Sequence, residues 1–592
     1  MRTVDRPRPA SNELRIAWKS DIVAQLLREF RIPYIPLNPG ASYRGLHDSL
    51  VNYLGNEAPQ MLLCLNEDHV VSIAHGYAKA TDQPLACVLH SNVGLMHGLM
   101  GIYNAWADRV PMLILGATGP VRPESRRPWI DWIHTAKDQG ALLRNFVKWD
   151  DEPRSQHGIV ESLIRALQVT TAAPRAPVYV CLDAGLQEER IDGEVQIPDV
   201  ARFKPPAAPS GSPTDVEHVA DLIAQAQRPL FLMGRGSRRQ DDWDRRVALA
   251  ELAGAAVVTS VRERSVFPTE HRQHIGPPSG WMSTGAKNAV EQSDLIVSFD
   301  WVDLNGYLQQ ANRHTSQVAA KIVHVSLDSI LHNGWSMDHF GLPPADTLVM
   351  ADADRFLELL LPAARMALAG RAKPPWSTHE PVAARGYSEN ANREMMPHDI
   401  EVALAELRRD HAFTLAHATI GWAATDYHFR GPLDYLGHDG GGGLAAGPGL
   451  TVGAALALKD SGRVVVGVLG DGDFLQGVTA LWTAAHYSLP SLFIVSNNRS
   501  NFNDEIHQES VANTRERPVE NRWIGQRIDD PAVDLAGLAR AQGVEATGPV
   551  ETVPALVDAI RQGLRVVAGG RPFLIDAKVK PGYANIIVKR QD

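Results

Sequence analysis

Cysteine is nearly absent from this sequence. Its 592 residues contain Cys64, Cys87 and Cys181, each inside an apolar run (MLLCLN, LACVLH, VYVCLD). Three thiols without metal-ligand spacing cannot form a disulfide framework, so buried thiols in strands and a reducing, cytoplasmic setting are expected. No apolar stretch approaches the roughly 18 residues of a membrane span. The opening text, MRTVDRPRPASNEL, lacks the apolar core of a secretory signal. Positive charge is in deficit as well: 58 Lys and Arg face 68 Asp and Glu, for a net charge of −10. That balance argues against broad nucleic-acid or anionic-membrane binding. Short-period repeats and low-complexity tracts are missing too. What is expected is a soluble, intracellular protein with the composition of an ordinary globular enzyme.

What is present is length and rhythm. At roughly 100–200 residues per domain, the chain has room for about three to five domains. Short apolar runs alternate with helical patterns throughout, which predicts βαβ units and parallel sheets. The first block, 12–190, carries the strands YIPLNPG, MLLCLN, PLACVLH, PMLILG and APVYVCLD. A Pro-rich connector, ARFKPPAAPSGSPTD, leads to a second block, 213–365, and a second Pro-containing connector leads to a third, 397–592. The expected fold is α/β, with three parallel-sheet domains. A single helix, DFLQGVTALWTAAHYS, is expected after Gly470-Asp471-Gly472, and the polar stretch 499–530 reads as a solvated lid or loop.

The third block carries the strongest chemical signal. Gly470-Asp471-Gly472 directly follows the strand RVVVGVL, and Asn498 ends the next strand 27 residues after Asp471. One helix plus one strand returns a chain to the same carboxyl edge of a parallel sheet, where ligands of open α/β sheets collect. Asp471, Asn498 and a backbone carbonyl, Ser500 being the candidate, form an all-oxygen set suited to Mg²⁺. Gly472 lets a phosphate approach the backbone, and the free N–H groups at the helix start favour its charge.

With GDG(…)NN in place, the chain resembles the thiamine-diphosphate-dependent decarboxylase and acetolactate synthase superfamily. The texts ALWTAAHYSLPSLFIVSNN and FVKWDDEP are most similar to its benzoylformate decarboxylase branch. The resemblance spans all three blocks and implies pyrimidine-binding, central nucleotide-binding-like and diphosphate-binding domains. It implies thiamine diphosphate with Mg²⁺ as cofactors, Asp471, Asn498 and Ser500 as metal ligands, and Gly470, Gly472, Asp473 and Thr419 against the diphosphate, with His417 beside Thr419. Glu67, followed by the family-like Gly76-Tyr77-Ala78, would hydrogen-bond N1′ of the aminopyrimidine and promote removal of the C2 proton. Gly442 would accept the 4′-amino group, and Leu444 would prop the cofactor into its bent shape. His90, in the LHS motif, would handle a proton near the reacting carbon, whereas His97 reads as structural.

By the same resemblance, the reaction is decarboxylation of a 2-oxo acid. Carboligation of the acetolactate type or cleavage of a 2-hydroxyacyl-CoA are the alternatives. Active sites would be shared between chains of a dimer or tetramer. Departures fall where substrate is chosen. Ala41 precedes Ser42 where a serine is expected one place earlier, and Tyr307 stands near a second expected histidine. Asn503, Asp504, Glu505 and His507 replace a short apolar pocket segment and would reach into the pocket, where Arg515, Arg517 and Arg522 would meet an anionic substrate. Gly234-Arg235-Gly236 in the central block is a weak dinucleotide signal. With an FDWVDLN text where acetolactate synthases contact flavin, FAD is not expected.

Overall fold

The computed structural model describes residues 5–7, 15–328, 341–379, 386 and 393–582. Its strands form three sheets, and every strand pair is parallel. The first sheet contains β1 (Tyr34–Leu37), β2 (Gln60–Leu63), β3 (Ala86–Val88), β4 (Met112–Thr118), β5 (Asp150–Asp151) and β6 (Pro177–Asp183), in the order β2-β1-β3-β4-β6-β5. The second contains β7 (Pro229–Met233), β8 (Ala256–Thr259), β9 (Leu295–Phe299), β10 (Lys321–Val325) and β11 (Thr347–Val349), ordered β11-β10-β9-β7-β8. The third contains β12 (Phe413–His417), β13 (Val464–Gly470), β14 (Ser491–Asn497), β15 (Glu545–Val550) and β16 (Phe573–Lys578), ordered β12-β13-β14-β16-β15. The expectation of an α/β fold with three parallel sheets is met.

Both faces of these sheets are covered, which is why their strands read as continuous apolar runs rather than alternating ones. In β7 and β9, Phe231, Met233, Val297 and Phe299 enter one core, while Leu230, Leu232 and Ile296 enter another on the opposite face. Cys87 and Cys181 lie in β3 and β6; Cys64 falls one residue past β2; all three are buried and unbridged.

The chain forms two units, one holding the first sheet together with Asp439–Ala457, the other holding the second and third sheets. Within the second unit the two sheets are tied by specific contacts. Arg430 pairs with Glu270 through Nε and Nη2 at 2.5 and 2.7 Å, and the Phe429 N–H donates to Thr269 Oγ1 at 2.9 Å.

Two expectations about local structure are corrected. The helix after Asp471 is two helices, Asp471–Gly477 and Ala480–His486. Gly477 and the β-branched Val478 and Thr479 supply poor helix formers at the break. The polar stretch 499–530 contains the helix Phe502–Thr514 and a 3₁₀ turn, Val519–Trp523. Glu505 is that helix's buried residue, and it is held by Ser500, Arg522 and Arg527. A helix anchored by a carboxylate instead of an apolar stripe has no hydrophobic period to read. Gly234 also has a local explanation: a Cβ there would collide with the Asp300 carbonyl beyond β9. Close backbone approach, not a nucleotide, accounts for that glycine.

His274 is buried, 2.8 Å from Thr259 Oγ1, and burial pushes its imidazole down to about 3. It is neutral in the fold but must charge in the unfolded chain below its ordinary value near 6.5, so unfolding takes up a proton there. Stability from this group is full above pH 6.5 and falls as pH drops towards 3, by up to about 1.4 kcal/mol per pH unit. His274→Gln should remove that increment from the pH dependence of denaturant unfolding between pH 6.5 and 4.5. An unchanged slope would contradict it.

Candidate active site

In the first unit, Glu67 opens the helix Glu67–Thr81 just past β2, at the carboxyl edge of the sheet. Asn66 caps that helix by accepting from the Asp68 N–H at 2.9 Å. Glu67 is 4% exposed. The neighbouring helix, Ser91–Ala107, reaches it because it is smooth: Gly94, Gly98 and Gly101 face the Glu67 helix. A Cβ at Gly94 would lie 2.8 Å from Glu67 Oε1, and one at Gly101 would lie 3.0 Å from Val71. This close approach brings His97 Nδ1 to 3.2 Å from Glu67 Oε2. His97, read from sequence as structural, therefore contacts the expected activating acid. The glycines at 94, 98 and 101 were the available signal.

His90 stands at the start of the same helix, its Nδ1 2.9 Å from Ser42 Oγ. Ser42 also accepts from the Ser91 N–H, at 3.1 Å. Ser42 is buried, whereas Ala41 is exposed, so Ser42 is the member of that pair beside His90. Gly40 is required here, since a Cβ would collide with the His90 ring. Burial lowers the His90 imidazole below its ordinary value, and His134 lowers it further while Glu67 opposes the shift. His134 is edge-on to His90, ring centres 4.7 Å apart. Nothing in the sequence pattern pointed to His134.

The run Gly440–Gly443 belongs to this unit. Cβ atoms at Gly440, Gly441 and Gly443 would strike Asn104, Tyr103 and Met100 of the Ser91–Ala107 helix; Gly442, at φ +73°, faces open space. Three glycines thus serve close contact, leaving Gly442 as the position available to a ligand. Leu444 is half exposed.

In the second unit, Asp471 follows β13, is 4% exposed, and accepts from the backbone N–H groups of Gly472 (2.8 Å) and Arg499. Even so, burial pushes its carboxyl up to about 6. Asn498 follows β14, the strand paired with β13, and its Oδ1 accepts from the Ser500 N–H at 2.9 Å. The Ser500 hydroxyl is committed to Glu505 at 2.5 Å, so its carbonyl is the ligand it can offer. A Cβ at Gly470 would meet nothing within 4 Å. A buried carboxylate that burial alone leaves costly to ionise, together with an amide oxygen on the adjoining strand, fits a divalent cation that would favour the charged form. Asp473 is buried in the first turn after it. Thr419 is half-buried two residues past β12, and His417 lies within β12 with Nδ1 3.0 Å from the Val468 carbonyl.

The other sequence candidates fall differently. Asp504 and His507 are exposed, Asn503 is half-buried, and Glu505 is buried in the Ser500–Arg522–Arg527 cluster. Tyr307 is buried against Trp301, ring centres 4.4 Å apart.

One carboxyl edge thus carries a buried glutamate at a helix start, and another, in the second unit, carries a buried aspartate with an asparagine on the adjoining strand. Comparison with known proteins agrees. Residues 18–142 match the N-terminal thiamine pyrophosphate binding domain, 216–360 the central domain and 418–577 the C-terminal binding domain of thiamine pyrophosphate enzymes. Benzoylformate decarboxylase of Pseudomonas aeruginosa is 27% identical over 522 residues, 87% of this chain and 91% of that one. A probable acetolactate synthase large subunit of Methanocaldococcus jannaschii is 24% identical over 548 residues, covering 88% and 86%. The crystal structure of benzoylformate decarboxylase from Polynucleobacter necessarius superposes with a TM-score of 0.79 at 19% identity, covering 96% of this chain and all of that one. The chain belongs to the thiamine-diphosphate-dependent superfamily of benzoylformate decarboxylases and acetolactate synthases. It is a thiamine-diphosphate-dependent enzyme of the carboxy-lyase or carboligase kind.

Two outcomes are expected from these contacts. Asp471→Ala should weaken thiamine diphosphate binding in the presence of Mg²⁺ by at least about tenfold, read by calorimetry; equal affinity would remove Asp471 from the site. Gly94→Ala should displace the Glu67 carboxylate and slow hydrogen–deuterium exchange at C2 of the bound cofactor, with near-normal circular dichroism. Exchange at the wild-type rate would show that the close approach is not needed.

Proposed function

We propose that this chain is a Mg²⁺-dependent decarboxylase of a 2-oxo acid, working as a dimer or a tetramer of two dimers. The observation that carries the reading is the presence of two separate proton-handling groups at one sheet edge: Glu67 with His97, and His90 with Ser42. Thiamine diphosphate, when bound, supplies the carbon nucleophile and the electron sink for cleaving a bond next to a carbonyl. Asp471, Asn498 and the Ser500 carbonyl would hold Mg²⁺. Gly470, Gly472, Asp473 and Thr419 would face the diphosphate, and Gly442 and Leu444 would orient the pyrimidine end. Glu67 would hold a proton at N1′ of the pyrimidine. His90, kept neutral by burial, exchanges a proton with the product carbon, and Ser42 fixes its ring.

The acetolactate synthase relative supports a second reading, in which the product carbon meets an aldehyde or ketone instead of a proton. Screening 2-oxo acids with thiamine diphosphate and Mg²⁺, and measuring CO₂, aldehyde and coupled product, separates the two. Release of CO₂ with stoichiometric aldehyde is expected. No CO₂ from any 2-oxo acid would overturn the decarboxylase reading.

His90→Ala should lower turnover by about 10²–10⁴-fold, the usual contribution of a general acid or base, while C2 exchange stays near the wild-type rate. Turnover unchanged would leave His90 structural. If sites are shared between chains, mixing inactive Glu67→Gln with inactive Asp471→Ala under subunit exchange should restore part of the activity. No recovery despite demonstrated exchange would contradict sharing.

A further inference from the structure

The helix Phe502–Thr514 separates two environments. Its residues 504 and 507 are exposed, whereas Phe502 and Glu505, one turn apart on another face, line a cavity of about 450 Å³. Residues three apart share a helix face, so this cavity lies away from Asp504 and His507, while Glu505 and Arg522, also singled out from the sequence, line it. Its size falls within the range of small-molecule sites. The same cavity is bounded by the end of β16 and by the residue that follows the cation-binding Asn498.

Charge gives the cavity its character. Arg499, Arg522, Arg527, Lys578 and Lys580 line it, against the carboxylates of Glu394, Glu505 and Glu551. The surplus is two positive charges. Arg522 and Arg527 are spent on buried Glu505, at 3.6 and 3.3 Å. Lys578 pairs with Glu551 and Lys580 with Glu394, each at 2.6 Å, but both glutamates are more than half exposed. Such surface pairs are worth little and exchange readily for a better partner. Arg499 forms no ion pair among the described residues, and its Nε is buried without a hydrogen-bond acceptor. An unsatisfied buried donor on a guanidinium is costly, and the planar fork of that group matches the oxygens of a phosphate or carboxylate. Its backbone stands at φ +58°, a conformation that a side chain adopts only when its surroundings hold it there.

We propose that this cavity is a binding site for a small oxyanion, the phosphate or carboxylate group of a small molecule, distinct from the diphosphate site. Arg499 takes the anion through its guanidinium, and Lys578 and Lys580 turn from their exposed glutamates to complete the charge. Glu505 holds Arg522 and Arg527 at the wall and keeps the cavity open.

The test uses the full chain saturated with thiamine diphosphate and Mg²⁺, so that the cofactor's own anion site is filled. Inorganic phosphate and succinate are titrated separately by calorimetry. Saturable binding of at least one of them, one per chain, is expected, and the tighter of the two identifies the anion class. Arg499→Gln should weaken it by about tenfold or more. Because Arg499 adjoins the Asp471–Asn498 loop, the double variant Lys578→Gln/Lys580→Gln, whose ammonium groups pair with Glu551 and Glu394 and not with that loop, is measured in parallel and should also weaken binding. The proposal fails if neither anion binds, if binding disappears once the cofactor is saturating, or if the double variant binds as tightly as the wild type.

Discussion

An ionisable carboxylate removed from water at the end of a parallel strand is the constraint around which this enzyme is built. Asp471 and Glu67 are both 4% exposed, and each sits where a strand hands over to a helix. Neither is neutralised by an ion pair with Lys or Arg among the described residues; Asp471 has backbone N–H groups, and Glu67 has a histidine. Full burial of a charge without a compensating cation is expensive, and it persists at functional sites where a ligand supplies what the protein withholds. Parallel sheets provide the place for such groups because every strand ends on the same edge, at the start of a helix whose dipole favours negative charge.

Glycine makes that arrangement physically possible, through different means at different positions. Gly94 and Gly98 remove side chains so that one helix can lie on another and bring His97 to Glu67. Gly40 clears space for the His90 ring. In the run Gly440–Gly443, three members serve contact with a helix and one is left facing open ground. Identical letters in a row thus have unlike duties, set by what each Cβ would strike. The central sheet shows the reverse: Gly234, which reads as part of a nucleotide motif, is fixed by the Asp300 carbonyl.

The stretch after Asn498 ties the loop around Asp471 and Asn498 to the rest of its sheet. Arg499 gives its N–H to Asp471, Ser500 gives its hydroxyl to Glu505, and Glu505 gathers Arg522 and Arg527. One buried carboxylate therefore connects the loop, the helix Phe502–Thr514 and the turn Val519–Trp523. Electrostatic anchoring of a polar helix keeps the region ordered without apolar burial.

The sequence by itself determined the alternation of buried strands and helices, and hence three parallel sheets. The apolar period of each element is written locally, and parallel pairing leaves few topologies. Strand-turn-helix spacing also put Asp471 and Asn498 at a carboxyl edge, whereas Glu67 was singled out through resemblance to a known family. The tertiary structure alone decided which groups stand next to them. His97 meets Glu67 across 30 residues, His134 meets His90 across 44, and Glu505 turns inward to two arginines. Those meetings depend on how closely two helices approach and on which face a polar helix presents. Both are set by Cβ-scale contacts between distant segments, and a one-dimensional pattern of polar and apolar residues carries no record of them.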